Sequence, residues 1–145
     1  MIKINNFHSF NENLNFDDKV LQLKDCFYGL QDLDLVFKYE IDEYNRILAK
    51  IINYETLRIN QEIDNNTIDF QNVDLKKCEF KLTDEIINII KFANSYCEDI
   101  GLIQGTATYY IDDDIRVFDN MEELSNYKDK GKKTNSIDLI YVEDK

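Results

Sequence analysis

The stretch that most constrains this chain is 83–123, a helix pattern followed by an acidic hairpin pattern. Ile86, Ile90, Ala93, Cys97 and Ile100 recur at spacings of three and four, with Ile89 and Tyr96 beside them. That period puts them on one side of an α-helix. Asn88, Lys91, Asn94, Ser95 and Glu98 fall mostly on the other side. Thr83 is placed to cap the first turn with its hydroxyl, and Asp84 and Glu85 put negative charge at the positive end of the helix dipole. Gly101 follows the last stripe residue, where a left-handed residue commonly closes a helix. Ile87 and Phe92 widen the apolar band, so the helix 83–100 is expected to lie across a sheet. Alone in water, a helix of this length is marginal.

The hairpin pattern comes next. Residues 106–111 are rich in β-branched and aromatic side chains, and 115–118 form a second short strand candidate. Asp112, Asp113 and Asp114 lie between them, and aspartates accept turn conformations. Asp119 is expected to cap a short helix over 120–127, with Glu122 and Glu123 in its first turn.

The other segments predict a sheet for this helix to cover. Residues 1–4 are a short strand candidate, and 5–18 read as a polar loop docked by Phe7, Phe10, Leu14 and Phe16. Residues 19–28 read as a strand, with Leu21 and Leu23 alternating against Gln22 and Lys24, and 29–32 as a turn. Leu33, Leu35, Phe37, Tyr39 and Ile41 alternate with more polar neighbours, the mark of a half-buried strand, and 42–45 read as a turn. Over 46–60 two periods compete. Ile47, Ala49 and Ile51 share a strand face, with Leu57 and Ile59 further along; Tyr44, Ile47, Leu48, Ile51 and Ile52 form a helix stripe. The strand is preferred, because a turn at 42–45 would close a hairpin with the strand before it. Residues 67–70 and 77–82 are short strand candidates, 128–133 a basic loop, and 136–142 a closing strand with Ile137, Leu139 and Tyr141 on one face. Together these predict a single α+β domain over 1–145, mainly antiparallel, with one principal helix on one face of the sheet. No repeat or low-complexity tract divides the sequence.

Composition bounds the chemistry. The chain of 145 residues carries a formal net charge of −12, unevenly spread. Between 96 and 127 eight acids face one base, Arg116; between 46 and 95 eight acids nearly balance seven bases. Phosphate contacts require Lys and Arg, so direct binding of nucleic acid or anionic lipid is not expected. No segment is apolar and long enough to span a bilayer, and the first residues, with Lys3 alone and no apolar run, do not resemble a secretory signal. Cys26, Cys78 and Cys97 form no C-x-x-C pair, which suggests reduced thiols in a cytoplasmic protein, with Cys97 a small buried hydrophobe. The absence of Pro and Trp and the abundance of Asn, Ile, Lys, Asp and Tyr suggest an A/T-rich bacterial or phage gene.

Catalytic patterns are missing. His8 is the one histidine, and adjacent Ser9 is poorly placed to be its nucleophile. Four glycines make no phosphate-cradling loop. A calcium loop counted from Asp112 through Asp114 and Asp119 finds Glu123 at its twelfth position but Val117 where glycine is needed. No metal or cofactor is therefore expected, and no enzyme activity. The expected function is that of an acidic inhibitor covering a basic site on another protein, such as a toxin, a nuclease or a defence effector. Asp112, Asp113, Asp114, Asp119, Glu122 and Glu123 are the candidate contact residues, and electrostatic steering would speed the encounter. The alternatives are a ligand-binding domain or enzyme with an unsignposted pocket, or a subunit of a larger assembly.

Overall fold

The computed structural model describes residues 14–67, 73–111, 114–118 and 133–144; for 75, 105–111 and 114–118 the description is of the backbone. The first element among the described residues is helix α1, Phe16–Cys26. Asn15 caps α1, its side chain accepting from the Asp18 amide at 2.8 Å, and Asp17 and Asp18 favour the positive end of the helix dipole. The strand expected over 19–28 is thus a helix. Val20, Leu23 and Phe27 are buried at spacings of three and four, while Leu21 of the apparent alternation is exposed. A cap and one turn of acids outweigh a four-residue alternation. A 3-10 helix, Tyr28–Leu33, replaces the expected turn at 29–32 and ends at Asp34 in the left-handed region.

Strands β1, Leu35–Ile41, and β2, Ile47–Asn53, form the expected antiparallel hairpin. Asp42 builds its turn: one carboxylate oxygen accepts from the Tyr44 and Arg46 amides, both at 2.9 Å, and the other meets the Arg46 guanidinium at 2.6 Å. Over 46–60 the strand holds for Ile47 to Asn53, so Ile47, Leu48, Ile51 and Ile52 of the alternative helix stripe lie in β2, and a helix forms only from the residues after it. β2 ends at Asn53, whose side chain accepts from the Thr56 amide at 3.0 Å and so starts helix α2, Tyr54–Asp64. Leu57 and Ile59 therefore leave the strand face expected for them. The strand candidate at 77–82 shrinks to a 3-10 turn, Leu75–Cys78, and the two-residue β3, Phe80–Lys81. The candidate strand at 1–4, the helix at 120–127, residues 68–70 of the strand at 67–70 and residues 128–132 of the basic loop lie outside the described residues.

Helix α3, Asp84–Asp99, matches its sequence pattern. Thr83 caps it by accepting from the Ile86 amide at 3.4 Å, and Ile86, Ile87, Ile90, Ala93 and Cys97 are buried, with Ile100 just beyond. Phe92 is the exception: it is exposed on the outer side. Gly101 closes the helix at φ +81°, and a Cβ there would come within 3.2 Å of the Lys19 ammonium. That ammonium pairs with Glu143 at 3.0 Å, so backbone conformation and space both favour glycine.

β4, Leu102–Ile111, and β5, Asp114–Phe118, pair as the expected hairpin, and β6, Lys133–Glu143, is last in the chain. The sheet order is β1-β2-β6-β4-β5, with every pairing antiparallel and β3 paired to the start of β6. The architecture is the expected α+β domain, and among the described residues two further α-helices, α1 and α2, accompany the principal helix α3. β6 lies in the middle of the sheet. Its register sets Ile137, Leu139 and Tyr141 opposite Ile51, Ala49 and Ile47, and all six are at most 1% exposed. They share one core with α1 and α3, in which Phe27 stacks on Phe37 of β1 at 4.3 Å.

Candidate partner-binding surface

The β4–β5 hairpin is where the sequence concentrates its candidate contacts, and among the described residues β5 is the outermost strand on its side of the sheet. The pairing ends with Ile111 opposite Asp114, so Asp114 opens β5 directly beside the turn. Asp112 and Asp113, the two residues between, lie outside the described residues, as do Asp119, Glu122 and Glu123. The acid-rich span 96–127 is not one patch. Glu98 and Asp99 finish α3, beyond the Leu102 end of β4, whereas Asp114 adjoins its Ile111 end. A ten-residue strand separates them by roughly 30 Å at about 3.3 Å per residue. Glu98 and Asp99 instead cluster with the end of β6, where the Asp144 amide donates to the Gly101 carbonyl at 2.9 Å.

Two half-buried carboxylates, Asp42 and Glu55, have local partners. Glu55 is held below the usual carboxylate range chiefly by its hydrogen bond from Arg58, which also reaches Glu62. At Asp42, desolvation pushes the carboxyl up, but hydrogen bonds from the Arg46 backbone and side chain and from the Tyr44 amide outweigh it, and the net shift is downward. Both are tied into a turn or a helix surface, which accounts for their position without a ligand.

The thiols are not poised for chemistry. Burial, then the Asp25 charge, pushes Cys26 up to about 11; burial, with Cys26 nearby, pushes Cys97 up to about 12. The thiolate is the nucleophile, so both are quiescent at neutral pH. Cys97 behaves as the buried hydrophobe expected of it, and Cys78 is buried too. The polar groups between α3 and the sheet serve one another. The buried Tyr141 hydroxyl donates to Asn94, whose amide donates to Gln104, at 2.8 and 2.5 Å. Burial holds Tyr141 well above the ordinary tyrosine value, so it stays a neutral donor.

Among the described residues no group of three or more His, Cys, Asp or Glu side chains could hold a metal ion. His8 lies outside them, as do Asp112, Asp119 and Glu123 of the calcium pattern. No helix among them is long and apolar enough to cross a membrane. Two hollows flank β1. One, of about 310 Å³, runs beside Phe27, Tyr28, Phe37, Tyr54 and Leu57; the other, of about 210 Å³, lies over Lys38, Leu48, Lys50, Ile52 and Asn60. Sequence patterns did not single out either, because register alone brings Lys38 opposite Lys50. Compared with family models, curated proteins and solved structures, the chain matches none of them.

Proposed function

We propose that this protein is a cytoplasmic binding protein and not an enzyme, an acidic inhibitor that covers a basic site on a partner protein. Toxins, nucleases and nucleic-acid-guided defence effectors of bacteria and phages carry such sites, because their own substrates are polyanions. The observation that carries the reading is the position of Asp114: it opens β5 beside the turn, and among the described residues β5 is the outermost strand on its side of the sheet. A net charge of −12 adds long-range attraction to any cationic cleft. Asp112, Asp113, Asp114, Asp119, Glu122 and Glu123 form the contact set; Glu98 and Asp99 are too far along β4 to join it. No cofactor or metal takes part, and neither nucleic acid nor membrane is bound directly.

The test is capture from host lysate on the intact protein, followed by affinity measurement with the recovered partner. A basic protein is expected, its affinity falling as salt rises. Charge reversal at Asp112, Asp113, Asp114, Glu122 and Glu123 should weaken it at least about a hundredfold, the scale of close charge pairs at steered interfaces. Unchanged affinity would remove the hairpin from the interface. A small molecule recovered in place of a protein would favour a ligand-binding domain.

A further inference from the structure

We propose that β1 is a self-association edge, pairing with β1 of a second copy about a two-fold axis at Tyr39. This is independent of the inhibitor reading, which uses the opposite edge of the sheet. Among the described residues β1 is the outermost strand on its side. The Asp42 amide donates to the Arg46 carbonyl at 3.1 Å, in the register that pairs β1 with β2. Antiparallel pairs alternate between bonded and non-bonded. Val36, Lys38 and Glu40 thus exchange backbone bonds with β2, and Leu35, Phe37, Tyr39 and Ile41 turn their amides and carbonyls outward. No described backbone group pairs with them. Such a row is a template for another strand.

Charge selects the occupant and the register. Lys38 and Glu40 are both exposed and flank Tyr39. A symmetric pairing centred on Lys38 sets it against itself, and one centred on Glu40 does the same to the acid. Centring on Tyr39 sets each Lys38 opposite Glu40 of the other copy. It also sets Phe37 opposite Ile41, and all these outward-facing residues fall in bonded pairs. Within one copy Lys38 lies opposite Lys50, a like-charge pair with no ion-pair partner for Lys38 among the described residues. Lys50 has Asp138 opposite it on β6, so Lys38 is the member of the pair with no acid across a strand, and Glu40 of the second copy supplies one.

The apolar surface agrees. Nine large hydrophobic side chains are exposed among the described residues, and five of them, Tyr28, Tyr39, Ile41, Tyr44 and Tyr54, lie on β1, its flanking turns or the start of α2. Tyr39 and Ile41, 36% and 41% exposed, sit in the proposed seam. Tyrosine-rich surface of this kind is enriched at interfaces. A two-fold contact is closed, so association stops at the dimer. Both β4–β5 hairpins are left at the outer edges of the joined sheet, giving a dimer two acidic edges.

Sedimentation equilibrium of the full chain tests this. Twice the chain mass is expected at concentrations on the order of tens of micromolar, a range set by micromolar affinity. Lys38→Glu alone and Glu40→Lys alone should each raise the dissociation constant about tenfold or more, with circular dichroism unchanged. Mixing the two single variants should restore a dimer, and the double swap should associate like the wild type. Hydrogen exchange should show the amides of Phe37, Tyr39 and Ile41 protected only at dimer-forming concentrations. A monomer at hundreds of micromolar would overturn the proposal, and so would a dimer indifferent to both single swaps. Protection of those three amides in dilute monomer would also overturn it, because another segment of the same chain would then cover the edge.

Discussion

The two faces of β2 and β6 are built from alternate residues of the same strands and have opposite fates. On one, Ile47, Ala49, Ile51, Ile137, Leu139 and Tyr141 are sealed under α1 and α3. On the other, Leu48, Lys50, Asp138 and Ile140 are exposed or half-buried, and Ile52 is the buried exception. Hydrophobic residues occur on both faces, so composition does not separate them. What separates them is whether an amphipathic helix stripe lies opposite. One face carries the stability of the fold; the other is free to vary or to meet a partner.

The largest effect should come from truncating neighbours on opposite faces. Leu139→Ala is expected to cost about 2–5 kcal/mol, while Ile140→Ala should cost less than half as much, because a half-buried side chain leaves little cavity. Urea unfolding of the two variants would break the comparison if they lost equal stability. Hydroxyl removal sharpens it at the next scale. Tyr141→Phe removes the buried hydroxyl and leaves the half-buried Asn94 carbonyl oxygen without its donor, at an expected cost of about 1–2 kcal/mol. Ser136→Ala, which removes a half-buried bond to Asp138, should cost no more than about 0.5 kcal/mol in the same titration.

Alkaline pH acts on the sealed face. The Cys97 thiol is raised from 9.0 to about 12 in the folded protein, so its unfolded form loses the proton first. Stability from this group is complete below pH 9 and is lost as pH climbs from 9 towards 12, by up to about 1.4 kcal/mol per unit. Tyr141, also raised by burial, adds to the fall above pH 10. Urea midpoints at pH 8, 9 and 10 should be level and then drop, and Cys97→Ala should make the drop between 9 and 10 shallower. The smallest effect belongs to the open face. Lys38→Thr removes the charge facing Lys50 and supplies a good strand former, so dilute protein should gain a few tenths of a kcal/mol in urea.

Helices α3 and α1 show how far the sequence could be read. α3 offers a long stripe, a threonine cap, two acids and a terminal glycine, all giving the same answer, and its boundaries emerged within a residue. α1 offers an asparagine cap and two acids as well, but its apolar set is short, and Leu21 beside Leu23 imitates a strand. The same ambiguity governed 46–60, where Asn53 both ends β2 and starts α2. Periodicity alone could not find that switch; a cap position could have suggested it. For the acidic surface, the sequence located the hairpin correctly, yet charge density along the chain grouped Glu98 and Asp99 with a turn that lies a full strand away.

Local chemistry therefore determined the elements with redundant signals: α3, the β1–β2 and β4–β5 hairpins, and the inward row of β6. These depend on spacings of a few residues, which the chain carries on its face. Tertiary structure alone decided that β6 lies in the middle of the sheet, that β1 and β5 are its outermost strands among the described residues, and that Lys38 faces Lys50. Those outcomes depend on pairings between residues far apart in sequence, where the energy gained is apolar burial summed over the whole sheet and no local pattern encodes the partner.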